Sequence, residues 1–163
     1  MKFKIFVSYS THDIKQVDLL KSQLTDTPIE VFIAEHSVSP SQELAPTISN
    51  AISGCDLFVL LWSRYAQNSE WVSQEIGKAS ALKKKILPLI LDKDLKLPGF
   101  ISNLKYLAIY EQQESLKKAQ KIIIDAYNSK KNQLIKSELA KQKEKDTLVA
   151  MGAGAFLLWV LSK

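Results

Sequence analysis

The run Asp56 to Trp62, DLFVLLW, constrains this chain more than any other stretch. Its residues are bulky and apolar without alternation, so a strand made from them has no side for solvent and must be covered on both faces. That is the condition of a parallel sheet lying between helices. A polar segment, Ser63 to Ser69, comes next. Ser69 suits a helix N-cap, with Glu70 in the first turn where negative charge favours the helix dipole. Beyond it Trp71, Glu75 and Lys78 recur at helical spacing, which places the indole and the carboxylate on one helical face. In an open parallel sheet the loops after the strands' carboxyl ends form the ligand crevice, so this ring and this carboxylate arrive there together. A Trp and a Glu four apart on a helix are more often a core anchor and a solvated charge. Spacing alone does not choose between the two readings.

The remaining chain repeats the same alternation of strand and helix. Phe3 to Tyr9 reads as strand one, with Thr11 or Ser10 capping a helix that carries Val17, Leu19, Leu20 and Leu24. Ile29 to Ile33 is strand two, followed by a long loop, Ala34 to Ala45. Within that loop Ser39-Pro40-Ser41-Gln42 matches a capping box, while Pro46 implies that the regular helix begins near it and runs to Gly54. Asp56 to Trp62 is strand three and Ile86 to Leu91 strand four. Pro88 inside the latter marks a strand that is short or near an edge. Tyr106 to Ile109 is a weak fifth strand and Glu114 to Tyr127 a helix. The expected fold is therefore a flavodoxin-like, doubly wound, parallel five-stranded sheet over residues 1–127. A lysine-rich composition marks 128–146 as a basic, helical spacer, and the absence of charge over sixteen residues marks 147–162 as an apolar tail. That length falls just short of the ~17–25 residues of a spanning helix. The lysines before it and Trp159 near its end nonetheless suit a tail anchor that holds the domain on the cytoplasmic side of a membrane.

Charge and cysteine content narrow the function. The net charge of +5 is carried largely by lysines of the last third, with no interleaved aromatic stripe, so no specific nucleic-acid partner is expected. Cys55, the single cysteine, reads as a packed thiol in a reducing compartment, and the short apolar N-terminus does not read as a signal peptide. The five glycines form neither G-x-G-x-x-G nor a P-loop, which removes the classical dinucleotide oxidoreductases and NTPases. Ser8-Tyr9-Ser10 stands where a response-regulator receiver needs a carboxylate cluster. His12 and His36 lie in loops without a nucleophile elbow, and no metal-ligand spacing is present.

Three segments together carry a resemblance: Ile5-Phe6-Val7-Ser8-Tyr9-Ser10, then Val31-Phe32-Ile33-Ala34-Glu35, then Ser63 to Ser69 with Trp71-Val72-Ser73-Gln74-Glu75-Ile76. Their order resembles a TIR domain over roughly Met1 to Tyr127, and is most similar to NAD-cleaving bacterial and archaeal TIR proteins of anti-phage defence, including Thoeris-type systems. The resemblance implies that Ala34 to Ala45 is the BB loop and that Glu75 is the catalytic glutamate, with Trp71 its tryptophan. It implies NAD as substrate rather than cofactor, with nicotinamide and ADP-ribose or a cyclic isomer as products. It also implies self-association through the Ala34 to Ala45 loop and a downstream effector. Two departures stand out: the late Phe-Trp box of animal TIR domains is replaced by Leu97-Pro98-Gly99-Phe100, and Ser10 and Thr11 replace the arginines that follow the first-strand box in some NAD-cleaving relatives.

A site this sparse suffices for that chemistry. Nicotinamide leaves NAD as a neutral molecule, so the general acid of ordinary glycoside hydrolysis is not needed. One carboxylate, Glu75, stabilises the oxocarbenium-like charge, and Trp71 stacks on a ring. Tyr9, Ser10 and Thr11, at the end of strand one, are expected to line the opposite wall of the crevice. Two other readings stand beside this one. The first is a non-catalytic scaffold acting through TIR-TIR association; the second is a nucleoside deoxyribosyltransferase-like enzyme.

Overall fold

Strands form where the apolar runs lie and helices where the apolar spacing turns to three and four. A computed structural model describes residues 2–33, 44–110 and 114–161, and side chains at 2–33, 46–110 and 114–149. In chain order the elements are β1 (Phe3–Ser8), a 3-10 turn (Thr11–Asp13), α1 (Ile14–Leu24), β2 (Ile29–Ile33), α2 (Leu44–Gly54) and β3 (Leu57–Trp62). A short α3 (Arg64–Gln67), α4 (Glu70–Ala81), β4 (Ile86–Ile90), a 3-10 turn (Gly99–Ile101), β5 (Leu107–Ala108) and α5 (Glu114–Leu161) complete the set. The five strands pair in parallel in the order β2-β1-β3-β4-β5. This is the expected doubly wound order, with its switch point between β1 and β3. Because crossovers are right-handed, the β1 to β2 connection puts α1 on one face, and the connections running the other way put α2 and α4 on the opposite face.

The α2/α4 face holds a core of Phe6, Phe58 and Leu60 from the sheet, with Ile48, Ile52, Val72 and Ile76 from the two helices. Phe6 stacks between Phe32 and Phe58, at centroid distances of 5.5 and 5.3 Å. On the other face Val17, Leu20 and Leu24 of α1 and Ala119 and Ile123 of α5 are buried. There the Gln120 amide donates to the Gln23 carbonyl at 2.6 Å. All six residues of β3 are buried, as a strand covered on both sides requires. Cys55 is buried as well; its thiol donates to the Ile52 carbonyl, and burial pushes its pKa up from 9.0.

Several local features depart from the sequence reading, each for a physical reason. Strand three starts at Leu57 because Asp56 turns aside to accept from the Lys4 N–H at 2.9 Å and donates its own N–H to the Lys4 carbonyl. Neither Ser10 nor Thr11 caps α1. The chain instead makes a 3-10 turn closed by the Asp13 N–H on the Ser10 carbonyl at 2.7 Å. The segment expected to be a loop after β3 contains α3, whose cap is Ser63 accepting from the Ala66 N–H at 3.0 Å. Helix α2 begins at Leu44, before Pro46, because a proline in the first turn removes an N–H that has no intrahelical partner. The capping box at Ser39 to Gln42 and most of the Ala34 to Ala45 loop lie outside the described residues.

Pro88 sits where its missing N–H does least harm. The Leu91 N–H donates to Trp62 and the Ile109 N–H to the Ile90 carbonyl, so even-numbered positions of β4 face β5. Pairing with β5 starts only at Leu89, one residue later, so β4 is short and next to the edge, as its proline implied.

Helix α5 joins the helix expected at Glu114 to Tyr127 and the helical spacer expected at 128–146 into one unbroken element to Leu161, because no glycine or proline occurs between Glu114 and Met151. Gly152 and Gly154 weaken a helix by about 1 kcal/mol each without stopping it. The chain still divides near the expected boundary, into compact units Met1–Ala126 and Tyr127–Lys163. Among the described residues no helix is long and apolar enough to cross a membrane, so the structure does not show the anchor expected at 147–162.

Candidate active site

Helix α4 starts on Ser69, whose hydroxyl accepts from the Val72 N–H at 3.3 Å, and this register fixes which side chains turn inward. Val72, Ile76 and Ala79 pack into the core, and Glu75 is drawn in with them to 4% exposure. A carboxylate there needs a donor. Ser8, at the last position of β1 and 1% exposed, donates its hydroxyl to Glu75 Oε2 at 2.5 Å. Trp71, one turn earlier, remains 37% exposed. The usual roles are thus reversed, with the charge buried and the ring at the surface.

Glu75 and Trp71 line one cavity of about 110 Å³ between α2 and α4, with Ile48 and Ile52 as its apolar side and Ser49 and Lys78 as polar lining. Lys78 donates to the Ser49 hydroxyl and so joins the two helices.

The other sequence-predicted residues lie elsewhere around the sheet's carboxyl edge. Tyr9 and Ser10 are buried and Thr11 is exposed, and none of the three lines the Trp71–Glu75 cavity. Ser10 approaches His12 Nδ1 at 3.4 Å. It is Ser8 that meets Glu75. The sequence did hold a signal for it, since Ser8 follows Phe6 by two on a buried strand and so shares its face. Among the described residues no group of three or more His, Cys, Asp or Glu is placed to hold a metal ion.

Asp13 is a second buried carboxylate that sequence reading passed over. It is 5% exposed and accepts from Ser63 Oγ at 2.6 Å, which ties the turn after β1 to the exit of β3. Burial raises its pKa above the ordinary 3.8, with a further push from the nearby Asp92 charge; the Ser63 hydrogen bond opposes both without cancelling them. The folded state therefore holds this proton more tightly than the unfolded chain does. Stability from this group is full below about pH 3.8 and is lost as pH rises through the raised folded value. Asp13→Asn keeps the acceptor for Ser63 and removes the buried charge. Its melting temperature is expected to exceed the parent's at pH 7, with the gap closing as pH falls towards 3.8; an equal gap at both pH values would show that Asp13 carries no such penalty.

These observations define an open, doubly wound α/β domain whose crevice centres on one buried carboxylate beside an exposed indole. The chain belongs to the TIR domain family, whose model matches residues 5–124. A probable 2' cyclic ADP-D-ribose synthase, BdTIR of Brachypodium distachyon, is 25% identical over 107 residues, covering 63% of this chain and 48% of that protein. The chain thus spans about half the length of that curated relative. Among solved structures, the TIR domain of the Toll-related receptor TRR-2 from Hydra magnipapillata aligns with a TM-score of 0.64 at 17% identity, over 76% of this chain and 97% of that one. The CMP N-glycosidase BcmB of Clostridium botulinum aligns with a TM-score of 0.55 at 28% identity, over 72% and 98%.

Proposed function

We propose that this protein cleaves the bond between nicotinamide and ribose in NAD, with Glu75 as its catalytic carboxylate. The observation that carries the proposal is the buried Glu75 carboxylate, held by Ser8 and lining a cavity with Trp71 at its wall. In the reaction the C–N bond breaks and its electron pair passes to the pyridinium nitrogen, so nicotinamide departs neutral. Positive charge then builds on the ribose. A fixed carboxylate in a partly dry site stabilises that charge without solvent reorganisation. Trp71 gives the departing or adjoining ring a face to stack on, worth about 0.5–2 kcal/mol for a cationic ring. Water completes hydrolysis to ADP-ribose, and an internal nucleophile gives a cyclic isomer instead. Family membership and the relative named as a probable cyclic ADP-ribose synthase support this reading.

The likeness to a CMP N-glycosidase supports a second reading, in which the same carboxylate breaks the bond between base and ribose in a smaller nucleotide. Incubating the purified full chain with NAD and with CMP separates the two. Nicotinamide with ADP-ribose, or with a product lighter by one water, is expected from NAD. Cytosine from CMP with NAD intact would replace NAD by CMP. Release of neither base, at high protein concentration, would leave the scaffold role. Self-association through the Ala34 to Ala45 loop and a role in anti-phage signalling accompany the NAD reading. Turnover per molecule should then rise with protein concentration, and a constant value would argue for a self-sufficient monomer.

A further inference from the structure

The Trp71–Glu75 cavity, about 110 Å³, is small beside a substrate that has two nucleotide halves. The switch point offers a place for the second. There the connections from β1 and β3 leave for opposite faces of the sheet, and the Ser63–Asp13 hydrogen bond of 2.6 Å latches them together. Beside that latch the His12 and Tyr65 rings stack, at a centroid distance of 4.5 Å and 10° between planes. Both are exposed, Tyr65 at 56%. An aromatic pair left in solvent at a sheet's ligand edge, rather than folded into the core, is a platform for another flat ring.

Next to Tyr65 stands Arg64, the single arginine among 163 residues, all other basic side chains except the histidines being lysines. It is exposed, and among the described residues it makes no ion pair. Its backbone N–H is held by Asp92 Oδ2 at 2.8 Å, which fixes the start of the side chain and leaves the guanidinium unengaged by that carboxylate. A guanidinium presents a planar fork that fits two phosphate oxygens at once, which an ammonium does not. Arg64 stands at the same edge of the sheet as the Glu75 site: Leu60, four residues before it, pairs with Ser8, the residue that holds Glu75, and β3 ends between them at Trp62.

Resting on the NAD reading of the Glu75 site, we infer that Arg64, with the His12–Tyr65 stack, binds the nucleoside diphosphate half of a dinucleotide, and that this subsite sets the preference for dinucleotides over mononucleotides. The arginine takes phosphate oxygens and the stack takes the base. Asp13 and Asp92 lie close by and weaken the bare pull on an anion, so ring and phosphate are both needed. Inorganic pyrophosphate should consequently bind more weakly than ADP.

Two measurements on the full chain test this. ADP binding is followed by calorimetry in the parent, Arg64→Ala, Arg64→Lys and Tyr65→Ala, and kcat/KM is compared between NAD and nicotinamide mononucleotide, which carries the same scissile bond without the other half. The expected result is ADP affinity about tenfold weaker in Arg64→Ala and Tyr65→Ala and intermediate in Arg64→Lys, with the NAD to mononucleotide ratio reduced about tenfold. An exposed pair is expected to leave the melting temperature in place, which separates lost binding from lost fold. If ADP does not bind the parent, or binds all variants alike, the subsite is overturned whatever the protein does to NAD. If NAD is not cleaved but ADP binding falls with Arg64, the reaction proposal fails and the subsite stands.

Discussion

Replacing Glu75 with Gln is expected to lower NAD turnover by about 10²-fold or more while the protein stays folded. Glutamine keeps the length and an oxygen that accepts from Ser8, so the 2.5 Å hydrogen bond has a successor. What disappears is the negative charge. If that charge serves the transition state, the loss falls on kcat with little change in KM. Because Glu75 is 4% exposed, removing a buried charge does not unfold the helix, and the melting temperature should hold or rise. Ser8→Ala acts at one remove. It leaves the carboxylate but removes the Ser8 hydrogen bond, so turnover should fall less than in Glu75→Gln, and Ser8→Thr, which restores a hydroxyl, should recover part of it. Parent-like turnover in a folded Glu75→Gln protein would leave the carboxylate as a structural group only.

The ordinary interpretation of a Trp and Glu four apart, a core anchor and a solvated charge, forecasts a harmless Glu75→Gln, and the burial of the two side chains departs from it. Helical spacing placed Trp71 and Glu75 on one face, which is correct, but it cannot say which of two residues on a shared face is deeper. Depth is set by what stands opposite. Glu75 points at the end of β1, where Ser8 supplies a hydroxyl, while Trp71 lies beyond that end at the rim. With 37% of its surface still in water, Trp71 is not the core anchor that its size implies.

The sheet was legible for a related reason. A strand such as β3, six residues all buried, needs no knowledge of its partners to be recognised, and the parallel order follows from the intervening helices. Residues that act through tertiary partners were not legible in that way. Asp13 reads as a helix-start aspartate until Ser63, fifty positions away in sequence, is seen to meet it. The tips of β1 and β3 likewise become neighbours only in the fold, so Tyr9, Ser10 and Thr11 were placed at the right edge but not against the cavity that holds Glu75. The helical character of 128–146 was legible, but its continuity with the helix from Glu114 was not, because the loss of apolar spacing after Tyr127 reads as a boundary although a polar helix without glycine or proline has nothing to stop it.

Phe6→Ala is expected to cost about 3–5 kcal/mol of folding stability, the largest loss for one substitution in the sheet. Phe6 is 0% exposed and lies in a ring stack with Phe32 on one side and Phe58 on the other. Truncation removes both ring contacts and leaves a cavity between the Phe32 and Phe58 rings on the face covered by α2 and α4, above strands whose spacing is fixed by the ladder. Against a total stability of about 5–15 kcal/mol such a loss moves the denaturant midpoint strongly. Phe6→Leu keeps most of the volume and should cost roughly a third as much. The consequence reaches the site, because Phe6 and Ser8 point to the same face of β1 and Phe6 packs beneath the position from which Ser8 holds Glu75. In Phe6→Leu, folded but loosened, kcat should therefore fall further than KM rises, since the carboxylate is less well fixed rather than absent. A folding stability within about 1 kcal/mol of the parent in Phe6→Ala would mean that the three-ring stack does not hold the sheet, and the rigid placement of Glu75 would then need another source.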